Sequence, residues 1–241
     1  MHPIDVPTLE TLAFVERYLP FPGARLLEVG CGRGALAAAL TAKGMRVRGI
    51  DSSPEVVAEA RARGVDAVEA DILSYEDAPF DVVLFSRSLH HIHPLHQAVN
   101  KAHGLLNVGG LLLVEDFGAD RADRRGTAWR YEVESLLHVA GLIGNGESEY
   151  DSSADPLARW REEHFGEHSI ATSVELIAAA RQKFPQAAEE TAPYLYRYLV
   201  DRLEPSERGF PVAQHLLAWE KRLIAAGDIS PIGLWLVARR V

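Results

Sequence analysis

A single cysteine, Cys31, stands among the 241 residues, so no intrachain disulfide is available and the chain fits a reducing compartment. No apolar run approaches the ~20 residues that a membrane-spanning helix needs. The start, Met1–Glu10, lacks the basic and then apolar stretch of a signal peptide. The chain is therefore read as cytoplasmic, with no membrane partner. Basic charge is also scarce. Lys and Arg total 25 against 34 Asp and Glu, a formal charge of −9, which argues against a nucleic-acid partner because a phosphate backbone calls for a basic face. The one dense basic group, Arg121, Arg124 and Arg125, reads as a solvated loop. Internal repeats and low-complexity linkers are absent as well. The length allows one sizeable α/β domain with an elaborated part, or two small domains.

What is present is a close alternation of strand and helix patterns. Arg25–Val29 reads as a buried strand, followed by an Ala-rich helix over Gly34–Lys43 that Gly44 stops. Val47–Ile50 is the next strand, after which Ser53 caps and Pro54 opens a helix that ends at Gly64. Val65–Glu69 is a short strand and Asp81–Phe85 a strongly apolar one. Pro94 opens a helix whose Leu95, Ala98, Val99, Ala102, Leu105 and Leu106 share a face, and Asn107–Gly110 turns the chain into a buried strand over Leu111–Glu115. Continuous apolar strands separated by helices mean a parallel sheet covered on both faces.

After Glu115 the rhythm changes. Gly118–Ser169 carries two helices, one with Trp129, Val133, Leu136, Leu137 and Ala140 on a stripe. The other is capped by Asp155 and carries Leu157, Trp160, His164 and Phe165, with a polar loop over Gly144–Ala154 between them. Thr172 and Glu175 form a capping box for a helix through Phe184. Gln186–Thr191 fits a sixth strand, Glu207–Ala226 a helix and Ile232–Arg239 a closing strand. The expected organisation is an N-terminal helical segment over 1–24, a ligand-binding core over 25–117, a helical insertion over 118–170 that either forms a lid over the sheet or packs on the side of the domain, and completion of the α/β sheet over 171–241.

The chemistry starts at Glu28-Val29-Gly30-Cys31-Gly32-Arg33-Gly34, which follows a strand and opens a helix. Glycine is needed where the chain turns tightly and a ligand approaches its backbone. By spacing alone Gly30, Gly32 and Ala35 also satisfy a dinucleotide fingerprint. Asp51, about twenty residues on, stands where a ribose-binding carboxylate is expected in either case. Glu28 begins to separate the two readings. A carboxylate beside the loop repels a pyrophosphate and suits an ammonium group, although it could equally accept backbone hydrogen bonds within the loop.

The segment LLEVGCGRG, Leu26–Gly34, resembles motif I of the class I S-adenosylmethionine-dependent methyltransferases, and four further segments follow that family in order. Asp51, in VRGIDSSPE, matches the acidic residue that holds both ribose hydroxyls, with Ser52 beside it. Asp71 and Ile72, in VEADILSY, match the pair that lies against adenine. FDVVLFSRSLHHI resembles the fourth motif, with Ser86 placing backbone near the methionine part. LLNVGGLLLVEDF resembles the turn and fifth strand, with Val108 where the family commonly has proline. The resemblance implies a Rossmann-like, doubly wound α/β fold. Its sheet would be seven-stranded and mostly parallel, with helices on both faces and a helical cap insertion. It also implies S-adenosyl-L-methionine as cofactor, S-adenosyl-L-homocysteine as product, and an O, N or C nucleophile of a small-molecule acceptor. Glu28, Gly30, Cys31, Gly32, Gly34, Asp51, Ser52, Asp71, Ile72 and Ser86 are the residues it assigns to the cofactor.

In-line attack on a sulfonium methyl needs alignment and exclusion of water more than a covalent nucleophile. A base matters where the acceptor must lose a proton. His91 and His90 follow the fourth strand at the edge where ligands of open α/β sheets bind, and they are the candidates, His91 ahead of His90. His96 and His103 could share a helix face, but no cysteine or carboxylate completes a ligand pattern, so no metal is expected. Trp160, His164, Phe165 and His168 are candidates for an apolar acceptor pocket, with core packing as the competing role for Trp160. Tyr194, Tyr196 and Tyr198 fit either a strand or a helix. Two other functions stay open on the same motifs: an NAD-dependent oxidoreductase, and a non-methylating protein that binds S-adenosylmethionine.

Overall fold

The computed structural model describes residues 2–143, 154–166 and 170–241. Its strands are β1 (Arg25–Val29), β2 (Arg46–Asp51), β3 (Asp66–Glu69), β4 (Phe80–Ser86), β5 (Leu106–Phe117), β6 (Ala188–Ala192) and β7 (Gly233–Arg239). They form one sheet in the order β3-β2-β1-β4-β5-β7-β6, and β1 to β5 pair in parallel. Gly109 N–H donates to Arg240 O, Arg240 N–H to Gly110 O, and Gly118 N–H to Ile232 O, so β7 runs against β5. The strand order reverses between β1 and β4, which opens a crevice at their carboxyl ends. The helices are α1 (Asp5–Glu16), α2 (Ala35–Ala42), α3 (Pro54–Ala62), α4 (Leu95–Leu105), α5 (Arg124–Val139), α6 (Pro156–Phe165), α7 (Ser173–Lys183), α8 (Leu195–Val200) and α9 (Gly209–Ala226). Among the described residues no helix is long and apolar enough to cross a membrane.

The chain divides into two compact units. One holds Glu10–Phe117, Ala171–Glu190 and Leu234–Val241; the other holds Met1–Leu9, Gly118–Ile170 and Thr191–Gly233. Residues 191–233, expected with the completion of the sheet, thus group with 118–170.

In the sheet unit the strands are apolar on both sides because both faces are covered. Leu26, Val82, Leu84, Leu111 and Leu113 pack with Phe14, Leu36, Leu40 and Val57 of α1, α2 and α3. The alternate residues Leu27, Val29, Val83, Phe85, Leu112 and Val114 pack with Val99, Ala102, Leu176 and Ala180 of α4 and α7. The expected Asn107–Gly110 turn lies inside β5 as a register shift. Phe80 pairs with Leu106, but Val82 already pairs with Leu111, so five steps of β5 answer two of β4. Gly109, at φ 81°, occupies the left-handed region that such a detour requires.

In the other unit Trp160 is wholly buried and its Nε1–H donates to Ala119 O at 2.9 Å. His164 stacks on Trp160 at 3.9 Å, its Nδ1–H donates to Trp160 O, and its other ring nitrogen accepts from the Tyr198 hydroxyl at 2.8 Å. The buried face of α5 differs from the expected stripe: Trp129, Val133 and Leu137 are buried, but Leu136 and Ala140 face solvent, and Thr127, Arg130 and Tyr131 are buried in their place. Tyr196 and Tyr198 fall on α8, with Tyr194 as its N-cap residue, so the tyrosine segment is helical. The proposed loop over Gly144–Ala154 lies outside the described residues except for its last position, and His168 lies outside them as well.

Candidate functional site

The glycine loop is held between two strand ends. Gly30 and Cys31 N–H groups both donate to Ile50 O at the end of β2, at 2.8 and 3.0 Å. From the β4 side, the buried Ser88 hydroxyl donates to Val29 O at 2.6 Å. Gly30 has φ 72°, and a Cβ there would sit 2.4 Å from Ser88 Cβ, so the close approach of the two strand ends requires glycine. Gly34 serves the packing behind the loop, since its Cβ would meet Ala60 Cβ and Val65 Cγ2 at 2.9 Å.

Asp51 completes the clamp. Its Oδ2 accepts Gly32 N–H at 2.9 Å and its Oδ1 accepts Ser53 N–H at 3.0 Å. One carboxylate thereby fixes both the loop and the start of α3, and each oxygen retains a free lone-pair direction. Asp71 is held in the same manner, with Oδ1 accepting Leu73 N–H at 2.9 Å in the turn that follows β3.

These elements surround a cleft of about 420 Å³ at the strand-order reversal. From the residues expected there the structure brings together Gly30, Asp51, Ser52, Asp71, Ile72 and His91, and adds Arg87, Ser88 and His93. Glu28, Cys31, Gly32, Gly34, Ser86 and His90 do not line it. Ser86 is instead bound through its hydroxyl to Glu115 Oε2 at 3.0 Å. Cys31 lies behind the loop, where a Cβ on Gly49 would meet its Sγ at 2.7 Å, and burial pushes its thiol up to about 12. His90 is buried, its Nδ1–H donating to Asp116 Oδ1 at 2.6 Å. The acceptor candidates Trp160 and His164 are committed to their own unit's packing. Wholly buried, Trp160 has no surface to offer a ligand, and Phe165 is half-buried. Among the described residues no group of three or more His, Cys, Asp or Glu is placed to hold a metal.

Arg87 is the residue that sequence reasoning passed over. It is the one non-glycine residue with positive φ among the described residues, at 54°, directly after β4. Its buried Nε makes no hydrogen bond to the described residues. Arg87 lines the cleft wall, where a guanidinium charge suits an anionic group of a ligand. No sequence pattern marks such a residue, because arginine gives no sign of a left-handed backbone.

Glu28 is 3% exposed, and Oε2 has no hydrogen-bond partner among the described residues. Burial raises its carboxyl to about 8, against the opposing pull of the Arg87 guanidinium and the Ala37 backbone N–H. The folded chain therefore carries a proton there that the unfolded chain releases near its ordinary carboxylate value. Stability from this group is fully present below about 4.5 and is lost as pH rises through about 8. Glu28→Gln removes the ionisation. At pH 9 the variant is expected to melt above wild type by about 5 °C or more, and the gap is expected to close as pH falls. Thermal denaturation of both proteins from pH 5 to 9 checks this; a gap independent of pH would place the charge on Glu28 throughout.

A family model described as a methyltransferase domain matches residues 8–142, more than half of the chain. The ubiquinone biosynthesis O-methyltransferase of Xylella fastidiosa is 32% identical over 169 residues, which span 65% of this chain and 66% of that protein. The matched stretch is thus just under two thirds of the relative. Among solved structures, phosphoethanolamine N-methyltransferase 2 of Haemonchus contortus, in complex with S-adenosyl-L-methionine, aligns with a TM-score of 0.60 at 18% identity. It covers 96% of this chain and 52% of its own. A possible histamine N-methyltransferase of Thermotoga maritima aligns with a TM-score of 0.57 at 16% identity, covering 97% and 89%. At these identities the two structures share a fold with the chain.

Proposed function

This chain belongs to the methyltransferase domain family, and we propose that it transfers the methyl group of S-adenosylmethionine to a hydroxyl oxygen of a small-molecule acceptor, releasing S-adenosylhomocysteine. The observation that carries the cofactor is the cleft at the strand-order reversal, with Asp51, Asp71 and Arg87 on its wall. Each matches one part of that molecule. Asp51 keeps an unused lone-pair direction on each oxygen for a vicinal diol. Asp71 has a second oxygen for an exocyclic amine, next to the apolar side chain of Ile72. The guanidinium charge of Arg87 suits an amino-acid carboxylate. When bound, the sulfonium supplies an electrophilic methyl carbon and leaves as a neutral thioether.

The protein's own share is to bind, align and manage a proton. His91 lies on the cleft wall, and burial, assisted by the neighbouring His90 and His93 rings, holds its imidazole below the ordinary histidine value. It is then neutral at neutral pH and able to take the proton of the acceptor hydroxyl. Oxygen, rather than nitrogen or carbon, is supported by the O-methyltransferase relatives at about 30% identity. The net charge of −9 accords with a small acceptor rather than a polyanion.

Calorimetric titration with S-adenosylmethionine, S-adenosylhomocysteine and NAD tests the cofactor. Both adenosyl compounds are expected to bind and NAD to give no heat; binding of NAD alone would overturn the reading. Incubation with methyl-labelled cofactor and either catechol or histamine tests the acceptor atom. Label is expected in the catechol ether, and label only in the amine would exclude the oxygen acceptor.

A further inference from the structure

We propose that Asp116 is a positioning residue, which fixes the tautomer of His90 and, through two packed rings, holds the His91 imidazole at the cleft wall to receive the acceptor's proton. The inference rests on the methyl-transfer reading above and assigns that site a proton-handling arrangement of its own.

Asp116 sits near the carboxyl end of β5 with no exposed surface. Its carboxylate is committed three times. Oδ1 accepts His90 Nδ1–H at 2.6 Å and Phe117 N–H at 2.9 Å, and Oδ2 accepts the backbone N–H of His90 at 3.2 Å. Two of the three bonds go to one residue, its ring and its main chain together. A backbone tie alone would need only one of them. With Nδ1 carrying the hydrogen, the neutral ring's basic nitrogen is Nε2.

The His90 ring is gripped from several directions. Phe117 meets it edge-on at 4.9 Å, and the His91 ring lies 3.9 Å away at 47°. Ala171 N–H donates to His90 O at 3.3 Å, which anchors its main chain from a third segment. His91 is thus backed by a ring that has little freedom to move, and it faces the cleft with His93. The charged and titratable groups around His91 are His90 and His93 on its own segment, Asp116 from β5, and Asp51, Asp71 and Arg87 on the other walls of the cleft. Of these, Asp116 opposes the lowering that burial and the two histidines impose.

The proton step balances simply. The acceptor's O–H bond breaks, its electron pair stays on oxygen, and the proton forms an N–H bond on His91. The resulting imidazolium faces a buried carboxylate one ring away, which favours the charged form. The proton later passes to water.

Nitrogen-detected NMR of the histidine rings in the full chain, without cofactor, provides a readout separate from activity. In wild type, His90 is expected as the Nδ1–H tautomer. In Asp116→Asn, the amide can donate to Nδ1, so that preference is expected to weaken or reverse. The His91 titration midpoint should fall below its wild-type value, because the opposing charge is gone. With catechol and S-adenosylmethionine, kcat of the variant is expected to fall at least tenfold. The KM for catechol and the calorimetric affinity for the cofactor should stay within about twofold. A merely structural role predicts an unchanged His91 midpoint, and that result would overturn the proposal. If the variant does not fold, an Nε2–H tautomer of His90 in wild type overturns it without any substitution. Failure of wild type to bind either adenosyl compound would refute the methyl-transfer reading, and the NMR result would stand apart from it.

Discussion

Asp51→Ala is expected to weaken S-adenosylmethionine binding by about 100-fold. The estimate follows from what one carboxylate does at the end of β2. Two charge-assisted hydrogen bonds to ligand hydroxyls contribute about 1.5–3 kcal/mol each when the partner is ionised, and losing them together with some loop order gives a change near 3 kcal/mol. The loop is affected because Gly32 N–H and Ser53 N–H lose their acceptor in the same substitution. Both groups lie in partly exposed segments and can turn to water, so the stability cost is expected to be only about 1 kcal/mol. Asp51→Asn keeps one acceptor oxygen and should fall between, near tenfold. Calorimetry on the three proteins measures the series, with thermal denaturation to confirm that each is folded. An alanine variant that binds within threefold of wild type would remove Asp51 from the ribose role.

The contrast between this residue and Arg87 shows what the sequence discloses. Asp51 is legible because a strand pattern ending in an acid, a fixed distance after a glycine loop, has a geometric meaning in any doubly wound sheet. The caps are legible for a similar reason: Ser53, Asp155 and Thr172 all accept the N–H groups that their spacing foretells. Arg87 and Asp116 belong to another category. Asp116 meets His90 across 26 positions only because β4 and β5 are parallel neighbours, with Ser86 beside Glu115. The strand order, once known, would have suggested the pair; periodicity alone does not. Edge strand β6, with the sequence AEETA, also shows how weak the pattern becomes where only one neighbour and little apolar cover exist. In Tyr194–Val200 the apolar and aromatic residues satisfy two periods at once. The choice of helix is made by a residue far along the chain.

That residue is Glu220, and Glu220→Ala is expected to destabilise the protein by about 3–5 kcal/mol at pH 5, a large part of the ~5–15 kcal/mol that holds a typical domain folded. From its sequence it is one more glutamate of α9, indistinguishable from a solvated one. In the fold it has no exposed surface and serves as the N-terminal acceptor of α8. Oε1 takes Tyr194 N–H at 2.7 Å and Leu195 N–H at 3.0 Å, while Oε2 takes Tyr196 N–H at 2.7 Å. A helix of six residues has too few internal bonds to persist on its own, so these external acceptors matter more than a cap on a long helix would. Alanine removes the acceptor of three buried backbone N–H groups and the carboxyl that faces the buried Arg197. Burial raises the Glu220 carboxyl to about 7, with the three backbone N–H groups and Arg197 pulling the other way. Because the folded value lies above the unfolded one, this ionisation contributes most to stability below about 4.5, and that contribution is lost as pH rises through about 7. The difference between wild type and Glu220→Ala should therefore shrink from pH 5 to pH 8. Glu220→Gln, which keeps one acceptor and cannot ionise, should lie between them at pH 5. Urea unfolding followed by tryptophan fluorescence is a direct readout, since Trp219 adjoins the residue and packs edge-on to Trp129 at 5.7 Å. A loss below about 1 kcal/mol at pH 5 would mean that α8 finds its acceptors elsewhere.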